Sequence, residues 1–216
     1  LTRILKRSIS YDVLVSGAGP AGAVTAMLLR RAGLSVLLIS APRRFSALEG
    51  LAERSRQALG TIGCQHALNT IGPAIQRHAH WGGQRFSGNR EYLVERDLFD
   101  AGLLRDARDA GVTVLETRFD KPADDGQYWQ TECPGQTVSA RYWVDARGRA
   151  APKTPHRQRA PAVLALGGWW TCQQTQAISG ISPFSAGWSW FARLPDGRAN
   201  VQVFIDADHA PSRSLL

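Results

Sequence analysis

With 216 residues, 44% of them hydrophobic, the chain is long enough to bury a substantial core as one compact unit or as two closely joined lobes. Its net charge of +8 comes from 23 Arg and 3 Lys that are dispersed along the chain, so we attribute it to composition and expect no nucleic-acid partner. No apolar run reaches the roughly 18 residues of a transmembrane helix, and the basic residues 1–10 lack the apolar centre of a secretory signal.

The first predicted elements form a strand–turn–helix–strand unit. Tyr11–Ser16 is a short Val-rich run typical of a buried parallel strand. The sequence GAGPAG follows, and then a helical stretch that Gly33 ends. Residues 35–39 (SVLLI) form a second apolar strand. A GxGxxG turn in this context, within about 30 residues, predicts a dinucleotide-binding unit.

Each position of the turn has a physical reason. Gly17 permits a tight turn, Gly19 lets the backbone approach a pyrophosphate, and Gly22 lets the helix lie close to the strand. Pro20 suits a first helical turn, where its missing N–H would have no partner anyway. The free amides and the partial positive charge of that helix end then favour an anion. The predicted phosphate-binding residues are Gly17, Ala18, Gly19, Pro20, Ala21 and Gly22.

The end of the second strand departs from the usual pattern. Such strands usually end in Asp or Glu, which accepts hydrogen bonds from a ribose, whereas this one ends in Ser40. A hydroxyl holds a ribose more weakly, and the nearby Arg43 and Arg44 could meet a phosphate. This weakens the case for NAD and leaves NADP open.

The middle of the chain does not continue in regular βα alternation, as an NAD dehydrogenase would. A helix is predicted around residues 51–59, and the chain is then expected to be irregular through Trp81-Gly82-Gly83. Apolar residues at helical spacing predict a second helix over residues 98–110, which Gly111 ends. Residues 112–115 form the next predicted strand.

Arg96 stands just before that second helix. A cation is disfavoured at a helix N-terminus unless an anion lies close by, and a bound pyrophosphate would supply one. The alternative is a solvated arginine paired with Glu95 or Asp97.

Beyond a predicted hairpin at residues 124–126, residues 140–144 form a strand that ends in Asp145-Ala146-Arg147-Gly148. An acidic residue and a glycine at such a point let the backbone approach a ligand, although the motif alone is weak.

Tryptophans are concentrated late in the chain. Trp188 and Trp190 share one face of a predicted strand, and alternating apolar residues over 201–205 form the next strand after a turn at 195–198. These aromatics either fill the core beneath a sheet or form an aromatic wall against a flat apolar substrate.

The Cys and His residues match no compact zinc pattern, so we expect no metal. The residue types that could ligate are Cys64, His66, His78 and His80. Three widely spaced cysteines favour reduced thiols and a cytoplasmic protein.

The segments GAGPAG, ERDLFDAGLLRDARDAGV and WVDARGR, in this order, resemble the motifs of the FAD-dependent monooxygenase superfamily. That group includes aromatic hydroxylases, geranylgeranyl reductases and tryptophan halogenases, and the resemblance extends from Tyr11 to Asp206.

The resemblance implies an α/β fold in which a Rossmann-like FAD-binding lobe (residues 11–80 and 90–150) is interleaved with a β-rich substrate lobe (81–89 and 151–216), after an N-terminal extension (1–10). It also implies that the glycine turn and Arg96 hold the FAD pyrophosphate. Ser40 replaces the ribose carboxylate, and Asp145 and Gly148 correspond to the family's Asp-Gly segment, although Arg147 is bulkier than usual.

Within the superfamily, the segment ALEGLAERSRQAL, Trp81 and the Trp188–Trp190 region resemble flavoproteins that oxidise tryptophan side chains in partner polypeptides. The resemblance implies a monooxygenase that hydroxylates an aromatic or indole-like substrate, including peptidyl tryptophan, through a flavin C4a-hydroperoxide. NAD(P)H is a candidate electron donor. A flavin-dependent reductase is the alternative. A halogenase is disfavoured because no lysine lies between Lys6 and Lys121.

The superfamily's C-terminal Gly-Asp motif, which embraces the flavin, has no counterpart before Leu216. We therefore expect the chain to correspond to the N-terminal half of the family fold, with the C-terminal part missing. An inactive fragment or an interaction module is a further alternative.

Overall fold

The computed structural model describes residues 7–41, 46–118, 121–151 and 160–207. In chain order its elements are β1 (Arg7–Ser16), α1 (Pro20–Arg31), β2 (Val36–Ser40), β3 (Leu48–Ala52), α2 (Glu53–Ile62), α3 (Gln65–Leu68), β4 (Ile75–Trp81), β5 (Gln84–Glu95), α4 (Arg96–Asp109), β6 (Thr113–Glu116), β7 (Ala123–Asp124), β8 (Trp129–Cys133), β9 (Gln136–Asp145), a 3₁₀ turn (Gly148–Ala150), β10 (Val163–Thr171), β11 (Ile178–Phe184), β12 (Gly187–Arg193) and β13 (Arg198–Asp206). The fold is mixed α/β, as the sequence predicts, and it divides into two compact units.

The first unit falls within residues 1–46, 57–70 and 96–152. Its six-stranded sheet has the order β6-β2-β1-β9-β8-β7, and β1 is parallel to both β2 and β9. The centres of β1 and β2 are fully buried, which explains why both strands are continuous apolar runs. The predicted βαβ unit is thus confirmed.

β1 begins at Arg7 rather than at Tyr11, because its first residues pair with β9 from Arg7 opposite Gln136. Residues 7–10 therefore belong to the sheet and not to an N-terminal extension. The hairpin predicted at 124–126 is confirmed as the connection between β7 and β8.

Helix α4 buries the face that its spacing predicts, with Phe99, Leu103 and Ala107 nearly inaccessible. Gly102 lies on the same helix, and a Cβ there would approach the Cα of Ala67 in α3 to 2.6 Å. The buried carboxylate of Asp106 accepts hydrogen bonds from the first backbone amides of α3, at 2.8 and 3.0 Å. These contacts fix α3 against α4 and satisfy the free amides of its amino terminus.

The second unit falls within residues 47–56, 71–95 and 153–216. Its seven-stranded sheet has the order β10-β13-β12-β11-β4-β5-β3 and is antiparallel except for the pairing of β11 with β4. Its core contains Leu48, Leu93, Trp190, Ala192 and Leu194.

Two expectations for this unit were wrong. The segment through Trp81-Gly82-Gly83 is not irregular but is the turn of the β4–β5 hairpin, where both glycines have positive φ. The helix expected from residue 51 begins at Glu53, and β3 precedes it. β3 is a strand because it pairs with β5 in the same sheet, a contact that local sequence does not reveal.

The unit boundaries also differ from the expected lobes. Residues 47–56, 71–80 and 90–95 were expected in the first lobe but belong to the second unit. The reason is strand pairing, because β3 pairs with β5, β5 with β4, and β4 with β11.

None of the helices in the described ranges is both long enough and apolar enough to cross a bilayer.

Candidate nucleotide-binding site

The glycine turn of the first unit is held between two strands. Gly17 has φ +96°, a conformation that favours glycine, and its amide donates to the carbonyl of Ile39 at 2.9 Å. On the other side the amide of Ala146, which follows β9, donates to the carbonyl of Ser16 at 2.7 Å. A Cβ on Gly17 would lie 2.6 Å from the carbonyl oxygen of Ala146, so no larger residue fits there.

Gly22 provides the close packing that its position in the motif predicts. A Cβ at Gly22 would collide with the carbonyl oxygen of Gly17 and would lie 3.1 Å from the Cβ of Ala146. The first turn of α1 therefore rests directly on the turn that precedes it. Ala146, which the sequence analysis did not single out, completes this contact from a position far along the chain.

The partial positive charge at the amino terminus of α1 lies next to Gly19, the N-cap residue. Pro20 occupies the first helical position, as predicted, and no side chain caps this end of α1. The first turn of α1 contains no acidic residue, so the helix itself offers no carboxylate to offset its partial positive charge. The arrangement is suited to an anion.

Arg96, the first residue of α4, brings a cation to the same place. Its Nη2 atom lies 3.9 Å from a Cβ built on Gly19, and apart from the chain neighbours of Gly19 no other described residue comes within 4 Å of that position. The side chain is only 14% exposed, so it is largely shielded from solvent. Asp100, one helical turn further on, accepts hydrogen bonds from its guanidinium at 3.0 to 3.2 Å.

Asp145, the last residue of β9, lies opposite Ser16 of β1, and Arg147 in the loop that follows forms an ion pair with it. The Nε and Nη2 atoms of Arg147 donate to the two carboxylate oxygens at 2.8 and 2.7 Å. These hydrogen bonds hold the pKa of Asp145 below its usual value, because they outweigh the opposite effect of burial. Arg147 also lies over the ring of Trp143, with 5.5 Å between its Cζ and the ring centroid. Gly148 has φ +57° and opens the 3₁₀ turn.

Ser40 ends β2 beside Glu116 of β6, and its carbonyl accepts a hydrogen bond from Thr117. A carboxyl-bearing residue, Glu116, thus lies beside Ser40 at this edge of the sheet, a placement that only the β2–β6 pairing reveals. Its carboxylate accepts from Arg108 at 2.5 Å, and its side chain is 60% exposed. The nearby Arg43 and Arg44 lie outside the described residues.

The three tryptophans singled out by the sequence lie in the second unit. Trp190 is 9% exposed and belongs to the core cluster, and Trp188 packs against the same cluster, which confirms that the two share a face. Trp188 stacks on Phe204, with ring centroids 3.9 Å apart. Trp81 ends β4 and is 48% exposed.

The residue types that could ligate a metal have other surroundings. Burial raises the pKa of the Cys64 thiol to about 11. The Nε2 atom of His66 lies 2.8 Å from a carboxylate oxygen of Asp109. In the parts of the chain that the structure describes, no three His, Cys, Asp or Glu residues converge as a metal site would require.

A family described as "FAD binding domain" matches residues 10–163. A tryptophan 2-halogenase from Chondromyces crocatus is 26% identical over 91% of this chain and 43% of its own length. Digeranylgeranylglycerophospholipid reductase 1 from Methanopyrus kandleri is 34% identical over 96% of this chain and 61% of its own length.

Among solved structures, the peptidyl tryptophan dihydroxylase QhpG, described as essential for tryptophylquinone cofactor biogenesis, superimposes with a TM-score of 0.84 at 37% identity. The match covers 95% of this chain and 48% of that protein. The chain therefore spans roughly half the length of these proteins, between 43% and 61%.

Proposed function

Because this chain belongs to the FAD-binding domain family, we propose that its first unit holds the pyrophosphate of FAD between the amino terminus of α1 and the guanidinium of Arg96. The fit rests on Gly19, where a Cβ would enter a space bounded by Arg96 at 3.9 Å. A helix terminus and a guanidinium are both favourable partners for phosphate oxygens.

The carboxyl ends of the neighbouring parallel strands would supply the remaining contacts. The hydroxyl of Ser40 and the carboxylate of Glu116 lie side by side in register, where they would accept hydrogen bonds from the adenosine ribose. At the end of β9, Asp145 and Gly148 would bring backbone close to the cofactor, and the ion pair between Arg147 and Asp145 would hold that loop in place.

For the activity, we propose hydroxylation of a tryptophan side chain in a partner polypeptide. The observation that carries this proposal is the similarity to QhpG, at 37% identity over 95% of the chain. FAD supplies the oxygen chemistry when it is bound and reduced, with NAD(P)H as the candidate electron donor. The protein's own residues would bind and orient the cofactor. Of the three tryptophans, Trp81 is proposed to meet the indole of the substrate, because its side chain is 48% exposed. Trp188 and Trp190 pack in the core of the sheet and are proposed to support this unit rather than to contact the substrate. The three free thiols agree with a reducing compartment such as the cytoplasm.

A flavin-dependent reductase of double bonds is the second candidate. It is favoured by the 34% identity to the digeranylgeranylglycerophospholipid reductase. A halogenase is less favoured because the sequence has no lysine between Lys6 and Lys121.

The first experiment is a visible spectrum of the purified protein with and without added FAD. We expect flavin bands that stay with the protein through gel filtration, and a colourless protein at saturating FAD would overturn the proposal.

The second experiment tests the activity. A tryptophan-containing polypeptide and NAD(P)H are added to the FAD-loaded protein, and oxygen consumption is measured together with the peptide mass. Hydroxylation adds one or two oxygen atoms to the peptide. Uptake of bromide or chloride would indicate a halogenase, and reduction of an isoprenoid double bond without oxygen uptake would indicate a reductase.

A further inference from the structure

One face of the second unit's sheet carries a cavity of about 460 Å³ that the proposed function does not use. It lies where the β4–β5 hairpin meets β11 and β12. The side chains on this face are basic, hydroxyl and aromatic, namely His78, His80, Arg85, Ser87, Ser182 and Phe191. Ala79, Phe86 and Ile181 also border the cavity, although strand alternation directs their side chains to the opposite face.

Strand register shows how the polar side chains come together. His80 pairs with Arg85 across the hairpin, and His78 pairs with Ser87. Cross-strand partners point to the same side of a sheet with their Cβ atoms about 5 Å apart. Because the side-chain period of a strand is two residues, all four side chains lie on one face.

The next strands extend this face. Gly180 of β11 pairs with His78 on one side and with Phe191 of β12 on the other. The ring of Phe191 lies over Gly180, where a Cβ would come within 2.5 Å of its Cζ atom. The glycine therefore lets an aromatic ring, 36% exposed, form an apolar wall beside the histidines.

The chemistry of the lining selects an anion. Its side chains offer N–H and O–H donors, and Arg85 carries a permanent positive charge. Within the described part of the chain, no Asp or Glu lines the cavity. Glu91 of β5 is buried and accepts a hydrogen bond from Ser179 at 2.5 Å, and Ser179 points to the opposite face from Gly180.

We propose that this cavity binds a carboxylate side chain of an acidic polypeptide substrate, with a neighbouring apolar side chain of that substrate against Phe191. The proposal rests on the proposed function only in naming a polypeptide as the substrate. A single arginine in the lining does not provide the several phosphate contacts of a nucleic-acid site. The net charge of +8 would also speed the approach of an acidic partner.

The test measures binding by fluorescence anisotropy at low salt with two labelled peptides. Both have the same length and contain one tryptophan, and they differ only in that Glu and Asp of the first become Gln and Asn in the second. We expect the acidic peptide to bind about tenfold more tightly. Arg85→Gln should remove most of that preference and leave the affinity for the neutral peptide unchanged.

Arg105→Gln is the matched control, because it removes the same charge from an exposed position on α4 in the first unit. Equal weakening by both variants would attribute the effect to net charge and overturn the proposal. Equal affinity for the two peptides would overturn it as well. So would binding of 3-phenylpropanoate alone as tight as that of the acidic peptide, or an Arg85-dependent preference for DNA over the peptide.

The binding assay needs no turnover, so the two proposals fail separately. If the preference for the acidic peptide depends on Arg85 but no oxygen is added to tryptophan, the proposed carboxylate site is supported and the proposed hydroxylase function is contradicted. If peptides are hydroxylated equally well with and without acidic residues, the hydroxylase function is supported and the proposed carboxylate site is contradicted.

Discussion

A Cβ added at Gly19 would meet only the guanidinium of Arg96, and the backbone there is extended, with φ −68° and ψ −178°. Any residue can adopt that conformation, so the fold does not require glycine at this position. A phosphate bound close to this backbone would require glycine here. We expect Gly19→Val to lower FAD affinity about tenfold or more while the melting temperature without FAD stays within about 2 °C of that of the parent protein.

The measurement is a flavin titration by fluorescence quenching, paired with thermal unfolding without FAD. Arg96→Lys is a useful companion, because it keeps the charge but loses the planar fork that can grip a phosphate. Unchanged FAD affinity in Gly19→Val would remove the pyrophosphate from this turn.

Asp145 allows a prediction about acid stability at a single residue. Because its pKa in the folded protein is lowered by Arg147, the ionised form stabilises the fold above the pKa of the unfolded chain, about 3.9. That contribution is lost as the pH falls through the lower folded-state pKa. Asp145→Asn should therefore be less stable than the parent at neutral pH, and the difference should shrink between about pH 4 and pH 2.

Melting temperatures without FAD across this pH range test the prediction. Asp206→Asn, at the exposed end of β13, removes the same charge and serves as the control, because Asp206 has no such bond to an arginine among the residues that the structure describes. A difference between Asp145→Asn and the parent that persists undiminished at pH 2 would contradict the assignment.

The sequence predicted part of this site for a clear reason. The glycine spacing is local, so the roles of Gly17 and Gly22 in turn and packing could be derived from the motif alone. Ala146, Asp100 and Glu116 could not. Ala146 and Glu116 reach the site by strand pairing across the sheet, and Asp100 was overlooked although it lies one helical turn from Arg96.

At the scale of elements, helix α1 depends on Gly22 for its position against the sheet. A methyl group there would collide with the carbonyl of Gly17, which is main chain and cannot rotate away. We expect Gly22→Ala to lower the free energy of unfolding by about 2 kcal/mol or more, although alanine favours helices.

Urea unfolding followed by circular dichroism measures this loss. Gly72→Ala is the control, since a Cβ there comes within 4 Å of no atom in the ranges that the structure covers, apart from its chain neighbours. Equal stabilities of the two variants would mean that α1 can shift away from the turn at little cost.

Elements were predicted unevenly. Parallel strands buried on both faces are apolar throughout, so β1 and β2 were visible in the sequence. β4 and β5 alternate polar and small residues on an open face and resemble a loop, and β3 is short and runs directly into α2. Their strand character comes from the neighbouring strands of the sheet rather than from their own residues.

At the scale of the whole molecule, the cysteines report on opening of the first unit. Cys64 is inaccessible and Cys133 is 6% exposed, and burial raises the pKa of both thiols. Cys172 lies in the second unit and is partly accessible. At about pH 8 we expect iodoacetamide to modify Cys172 first, because the other two need both exposure and deprotonation.

Mass spectrometry of a labelling time course reads all three sites. The fastest phase of labelling should be absent in Cys172→Ser, which would assign that phase to Cys172. If FAD binds the first unit, saturating FAD should slow the labelling of Cys64 and Cys133 further, since a ligand stabilises only the closed form. Faster labelling of Cys64 than of Cys172 would contradict the packing of α3 against α4.

The pairing of β1 with β9 has a consequence for synthesis on the ribosome. The indole of Trp143 donates to the hydroxyl of Ser16 across 127 positions of sequence, and β1 lies between β2 and β9. At about 5–20 residues per second, roughly 6–25 s pass between translation of these two residues. Throughout that interval the nascent chain presents one edge of its first strand unpaired, so this is the period in which a chaperone would have most to protect.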